Sequence, residues 1–137
     1  MGQTRLDASL SAGPPNAGES VFPGTTANIP INLTPNPKTW QHATGVLTRV
    51  VSVASPAFLA LDGVGATATV TECGYLYFRS SSPLLLRVSQ NIAGVGVTTT
   101  LHRVHGLFMW EPPASEPIVL LEVQGNGTIE YFAQGER

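Results

Sequence analysis

From residue 45 onward, β-branched and aromatic runs alternate with Gly, Pro, Asn and Ser signals at roughly eight- to twelve-residue intervals, and this punctuation leaves no room for a helix. No window places apolar residues at the 3.6-residue period of an amphipathic helix. Val46–Ala54 (VLTRVVSVA) reads as a strand ending at Ser55-Pro56, and Ala57–Leu61 as a short apolar one before the turn Asp62-Gly63. Ala66–Thr71 (ATATVT) alternates with period two. Tyr75–Arg79 puts Tyr75, Tyr77 and Arg79 on one face and Leu76 and Phe78 on the other. Ser80–Pro83 (SSSP) breaks that run before Leu84–Gln90. Val95–Val104 carries three threonines, Thr98–Thr100, which point to a solvated or edge face. Leu107–Trp110 follows, then the rigid Glu111-Pro112-Pro113. Pro117–Gln124 is apolar, and Gly125-Asn126-Gly127 predicts a hairpin turn into Thr128–Ala133. Eight or nine short strands of this kind are the pattern of a β-sandwich, jelly roll or barrel, and predict an all-β fold, a β-sandwich or jelly-roll-like domain over residues 45–137.

Residues 1–44 differ. They hold Pro14, Pro15, Pro23, Pro30, Pro35 and Pro37, six of the chain's eleven prolines. Proline fixes φ and removes a backbone donor, so this segment is expected to run as an extended arm. Phe22, Ile31, Leu33 and Trp40 are its expected contact residues, because a plain linker carries fewer apolar anchors.

Composition narrows the function classes. Only 12% of the 137 residues are charged, while 42% are hydrophobic. Soluble domains carry about 25% charge, so a chain this poor in it suits a surface covered by partners. Net charge is −2 and the basic residues are scattered, which argues against nucleic-acid binding. No stretch of 18 apolar residues predicts a membrane span, and no basic-then-apolar leader is visible at the N-terminus. Leu6 stands where a myristoylation motif wants Ser or Thr.

The search for chemistry returns little. Cys73 is the only cysteine, so no intrachain disulfide forms, and it reads as a small buried hydrophobe rather than an activated nucleophile. His102 and His105 are three apart in a strand, hence on opposite faces and poor as a chelating pair; His42 is remote. Glu122 and Glu130 flank the predicted last hairpin turn and are expected near one another across it, as solvated side chains. No nucleophile elbow, phosphate loop, dinucleotide fingerprint or zinc-protease motif occurs. The expectation is a non-enzymatic protein with no catalytic residue, cofactor or metal. Tyr75, Tyr77, Trp110 and Trp40 are candidates for a sugar-stacking platform, although aromatic strand residues more often pack in cores and interfaces.

The Pro/Gly-rich N-terminal segment, the low charge, and the stretches YLYFRSSSPLLLRVSQ and PIVLLEVQGNGTIEYFAQG resemble the small virion proteins of tailed bacteriophages, above all capsid decoration (cement) proteins. The resemblance covers residues 45–135. It implies a protein of the virion that forms a trimer or similar oligomer, clamps neighbouring copies of the major capsid protein and has no catalytic residues. A head–tail or tail accessory role is the alternative within that class. A carbohydrate- or receptor-binding sandwich is the alternative outside it, and a cupin-like enzyme would need a His/Glu cluster that three scattered histidines do not offer.

Overall fold

The computed structural model describes residues 6–12, 27–33 and 42–136, with side chains over 42–136. The chain divides into two compact units, Gln3–Pro37 and one built on Lys38–Arg137. In the first, β1 (Leu6–Ala12) and β2 (Ala27–Leu33) form an antiparallel pair that sets Leu6 opposite Leu33 and Ala12 opposite Ala27. Ile31 and Leu33 lie in β2, opposite Ala8 and Leu6, while Phe22 and Trp40 fall outside the described residues.

The second unit begins earlier than residue 45. Strand β3 (His42–Ala43) pairs with the C-terminal strand, and the Thr44 amide reaches the Ala133 carbonyl at 2.9 Å. The other strands are β4 (Leu47–Val53), β5 (Leu59–Ala60), β6 (Glu72–Ile92), β7 (Gly96–Trp110) and β8 (Ile118–Glu136). No helix occurs among the described residues, so the all-β reading holds. The expected two-sheet sandwich is not what the strands of this unit form. They lie in one curled antiparallel sheet of order β3-β8-β6-β7, with β4 and β5 also on the outer edge of β8.

Curling lets one sheet enclose its own core. The even-numbered residues of β6 (Leu76, Phe78, Leu84, Leu86 and Val88) and the odd-numbered residues of β8 (Leu121, Val123, Ile129, Tyr131 and Ala133) are all buried. Two-residue periodicity over a half-buried sheet demands this alternation. Each buried Leu, Ile, Val or Phe among them contributes about 1.5–3 kcal/mol by leaving water.

Two expected turns are not turns. The SSSP segment lies inside β6 and Gly125-Asn126-Gly127 lies inside β8, facing each other in mid-sheet. β6 spends four residues from Ser80 to Leu84 where β7 spends two, from Gly106 to Val104, so β6 bulges there. Pro83 has no N–H, and serine hydroxyls take over part of the ladder. Ser81 Oγ accepts the Thr128 amide at 2.9 Å, and Ser82 Oγ donates to the Asn126 carbonyl. Gly125 and Gly127 serve close approach. A Cβ on Gly125 would lie 2.9 Å from Leu84 Cβ, and one on Gly127 would lie 2.2 Å from Ser82 Oγ.

The alternating Ala66–Thr71 segment also departs from expectation, forming a compact loop rather than a strand. Positive φ at Gly63 and Gly65 turns the chain, and the amides of Gly65 and Val70 bond to the carbonyls of Val70 and Gly63, each at 3.0 Å. The loop plugs Val64 and Val70 into the core.

Candidate functional site

Continuity of β8 undoes the expected Glu122–Glu130 proximity. The two carboxylates are eight residues apart on one strand, roughly 26 Å at strand rise. Each has its own partner. Glu122 pairs with Arg87, whose guanidinium also lies 3.9 Å from the Phe58 ring centroid. Glu130 accepts the Tyr77 hydroxyl at 2.9 Å.

Tyr77 and Glu130 belong to an array on the outer face of the sheet. Arg79 lies directly opposite Glu130 across the β6–β8 ladder, and its positive charge acts on the Tyr77 hydroxyl. Desolvation, with the Glu130 bond second, holds the Tyr77 hydroxyl above its ordinary pKa, so it stays a donor to Glu130. Beside this array a depression of about 390 Å³ opens over the bulge, lined by Thr48, Arg79, Ser80, Ser81, Gly106, Thr128, Ile129 and Glu130. Gly106 leaves room by carrying no side chain. One cation, one carboxylate and several hydroxyls form a set of donors and acceptors suited to a polyhydroxylated ligand.

The remaining candidates separate. Tyr75 shares its strand face with Tyr77 but is buried, edge-on to Phe132 at 6.5 Å between centroids. Trp110 sits opposite Leu76, hence on the core side, with its ring 5.4 Å from His102 and 6.0 Å from Phe108. The Tyr75–Tyr77–Trp110 platform therefore does not assemble. His102 also bonds the Thr100 hydroxyl at 3.1 Å, whereas His105 is exposed on the other face and His42 lies in β3. Among the described residues no three His, Cys, Asp or Glu side chains gather as metal ligands. Cys73 is buried and donates to the Tyr75 carbonyl at 3.2 Å; burial pushes its thiol up to about 12, which suppresses the thiolate a nucleophile needs.

The second notable surface is an edge. β7 ends the sheet, and among the described residues nothing pairs with its outer side. It carries the Thr98–Thr100 run. Natural edges are blunted by Lys, Pro or short length. β7 runs for 15 residues with no Lys or Pro, and Arg103 is its only formal charge. Leu101, Leu107 and Val97 on β7, with Val95 in the turn before it, are among the most exposed large apolar side chains of the unit, at 55%, 57%, 67% and 74%. Sequence reasoning marked the threonines but missed the edge's length, because the expected break at residues 105–106 is bridged by Gly106 at φ 78°.

Compared with protein-family models, with curated proteins and with solved structures, the chain finds no match.

Proposed function

We propose that this chain is a non-enzymatic assembly module that joins other copies of itself through the edge of its sheet. The observation that carries the reading is the unpaired β7 edge, long, nearly uncharged and studded with exposed Val and Leu. Such an edge offers a row of backbone donors and acceptors to an added strand. The low charge of the whole chain supports the same reading. Light scattering on the purified chain over a concentration series tests it: self-association supports the proposal, and a monomer at every concentration refutes it.

The finer form of the proposal is a virion role, capsid decoration ahead of a head–tail or tail position, with the major capsid protein as partner. It rests on the resemblance and on the low charge. Its test is co-sedimentation with particles. Deleting residues 1–40 is expected to leave a folded sheet and to weaken particle association; undiminished association would remove the arm from the mechanism.

The Arg79–Tyr77–Glu130 array favours a second reading, a glycan-binding domain. Glu130→Gln and Tyr77→Ala would then abolish binding on a glycan array while the fold persists, and an array blank for the unaltered chain would refute it.

A further inference from the structure

The residues along β7 match themselves in reverse about one position. On the outer face of the sheet the strand presents Val97, Thr99, Leu101, Arg103, His105 and Leu107, with Val95 exposed in the turn just before it. Two such edges run antiparallel about Leu101 place Leu101 against its own copy and bring Leu107 level with Val95 of the turn before the strand at both ends. Val97 then meets His105, and Thr99 meets Arg103. On the core side Thr100 meets His102, Thr98 meets Val104 and Gly96 meets Gly106. All four exposed large apolar residues find apolar or imidazole partners. The only formal charge of the strand, Arg103, lands on a threonine rather than on its own copy.

Neighbouring registers lose these matches. Centring on Arg103 sets two guanidinium groups face to face, which is unfavourable for directly opposed strand residues. Centring on Thr100 puts Leu101 against Thr99 and Val97 against Arg103, and brings Leu107 level with Ala93 rather than with an exposed valine. Shifting by half a step sets the outer face of one copy against the core face of the other, and a half-buried sheet specifies register against that.

We infer that β7 pairs with β7 of a second copy, antiparallel and centred on Leu101, joining two sheets into one continuous sheet about a twofold axis. This inference rests on the assembly reading above and names its contact. The pairing is isologous, so each copy supplies the same surface. Gly96–Gly106 from each copy spans about 33 Å. A strip that long and about 10 Å wide buries on the order of 700 Å² over both partners, below the ~1,200 Å² of standard interfaces. The expected dimer is therefore concentration-dependent, and it strengthens where other contacts hold the copies together.

Directly opposed antiparallel residues have Cα atoms about 4.5–5.5 Å apart, within disulfide range. Leu101→Cys in the full chain is exposed and alters no core residue, and the native Cys73 is buried. Under mild oxidation Leu101→Cys is expected to give a covalent dimer. Val97→Cys and His105→Cys are each expected to give no covalent dimer alone and to cross-link when mixed. Leu101→Lys is expected to weaken self-association at least tenfold by light scattering, with Val50→Lys on the opposite edge as the unaffected control. A chain that self-associates while Leu101→Cys fails to cross-link, or in which Val50→Lys dissociates the assembly and Leu101→Lys does not, overturns the β7 pairing and leaves the assembly reading standing. A monomer at every concentration overturns both.

Discussion

The Tyr131 hydroxyl donates to the Asp62 carbonyl at 3.0 Å, tying the middle of β8 to the turn that opens the Leu61–Thr71 loop. The Tyr131 ring is buried beside Leu47, its partner across β4–β8, so one side chain is both core and clamp. Tyr131→Phe keeps the ring and removes the clamp. A net hydrogen bond of this kind is worth about 1 kcal/mol, which lowers the midpoint of a domain this size by roughly 4 °C. Thermal unfolding followed by circular dichroism reads it, and an unchanged midpoint would remove the bond from the stability account.

Gly135 allows no side chain. A Cβ there would sit 1.9 Å from the Glu72 carbonyl oxygen and 2.9 Å from Cys73 Cα, both backbone atoms that cannot swing aside. Gly135→Ala is expected to cost about 3 kcal/mol or more, the upper part of the overpacking range. Gly94→Ala is the control. Its Cβ meets nothing within 4 Å, and the only cost is positive φ at 78°, on the order of 1 kcal/mol. Urea midpoints of the two variants should differ in that order; equal midpoints would show that the strand ends yield where β6 and β8 meet.

Where the fold was legible in sequence, one strand's own alternation sufficed. Tyr75–Arg79 and Leu84–Val88 show which residues point inward without reference to any neighbour. Legibility fails where a residue's purpose lies across the sheet. Gly125-Asn126-Gly127 and Ser80–Pro83 carry the composition of turns, but their glycines and hydroxyls answer one another between β8 and β6. Misreading them as turns also misplaced Glu122 and Glu130, because a hairpin would bring together what a continuous strand holds apart. The depression drawn from Thr48, Arg79, Gly106 and Thr128 needs four strands in register, and no single window of sequence contains that information.

Arg87 is held from two sides, by the Glu122 carboxylate and by the Phe58 ring. Lys in its place keeps the charge but loses the planar stack and the directed Nε–H bond. Arg87→Lys is expected to lose about 1 kcal/mol, discounted for partial solvent screening. Phe58→Leu alone removes only the stack. In a double-mutant cycle the two changes should be less than additive by a few tenths of a kcal/mol. Additive urea midpoints would show that the stack carries no energy of its own.

Stability should fall in alkali, and Cys73 should begin the fall. Burial, its largest cause, raises the folded-state thiol from 9.0 to about 12, against the bonds to the Tyr75 and Gln134 backbone that pull it down. Well below pH 9 the thiol is protonated in folded and unfolded chains alike, so there it adds no pH dependence. Between pH 9 and 12 the unfolded chain releases the proton and the folded chain keeps it, so unfolding gains free energy as pH rises. The loss amounts to about 1 kcal/mol between pH 9 and pH 10 and steepens towards ~1.4 kcal/mol per pH unit above that. Tyr75, Tyr77 and Tyr131 are raised in the same direction, chiefly by desolvation, but from a reference of 10.0, so their contributions start one unit later. Lys38 is the chain's only lysine, so the thiol and these three tyrosines carry the fall between pH 9 and 10. Urea unfolding of the native chain and of Cys73→Ala at pH 8, 9 and 10 separates the two: the native chain should weaken across the window, while the variant, less stable at pH 8 for want of the buried sulfur, should weaken by clearly less, losing only what the tyrosines contribute. A parallel decline in both chains would place the alkaline sensitivity elsewhere in the sheet.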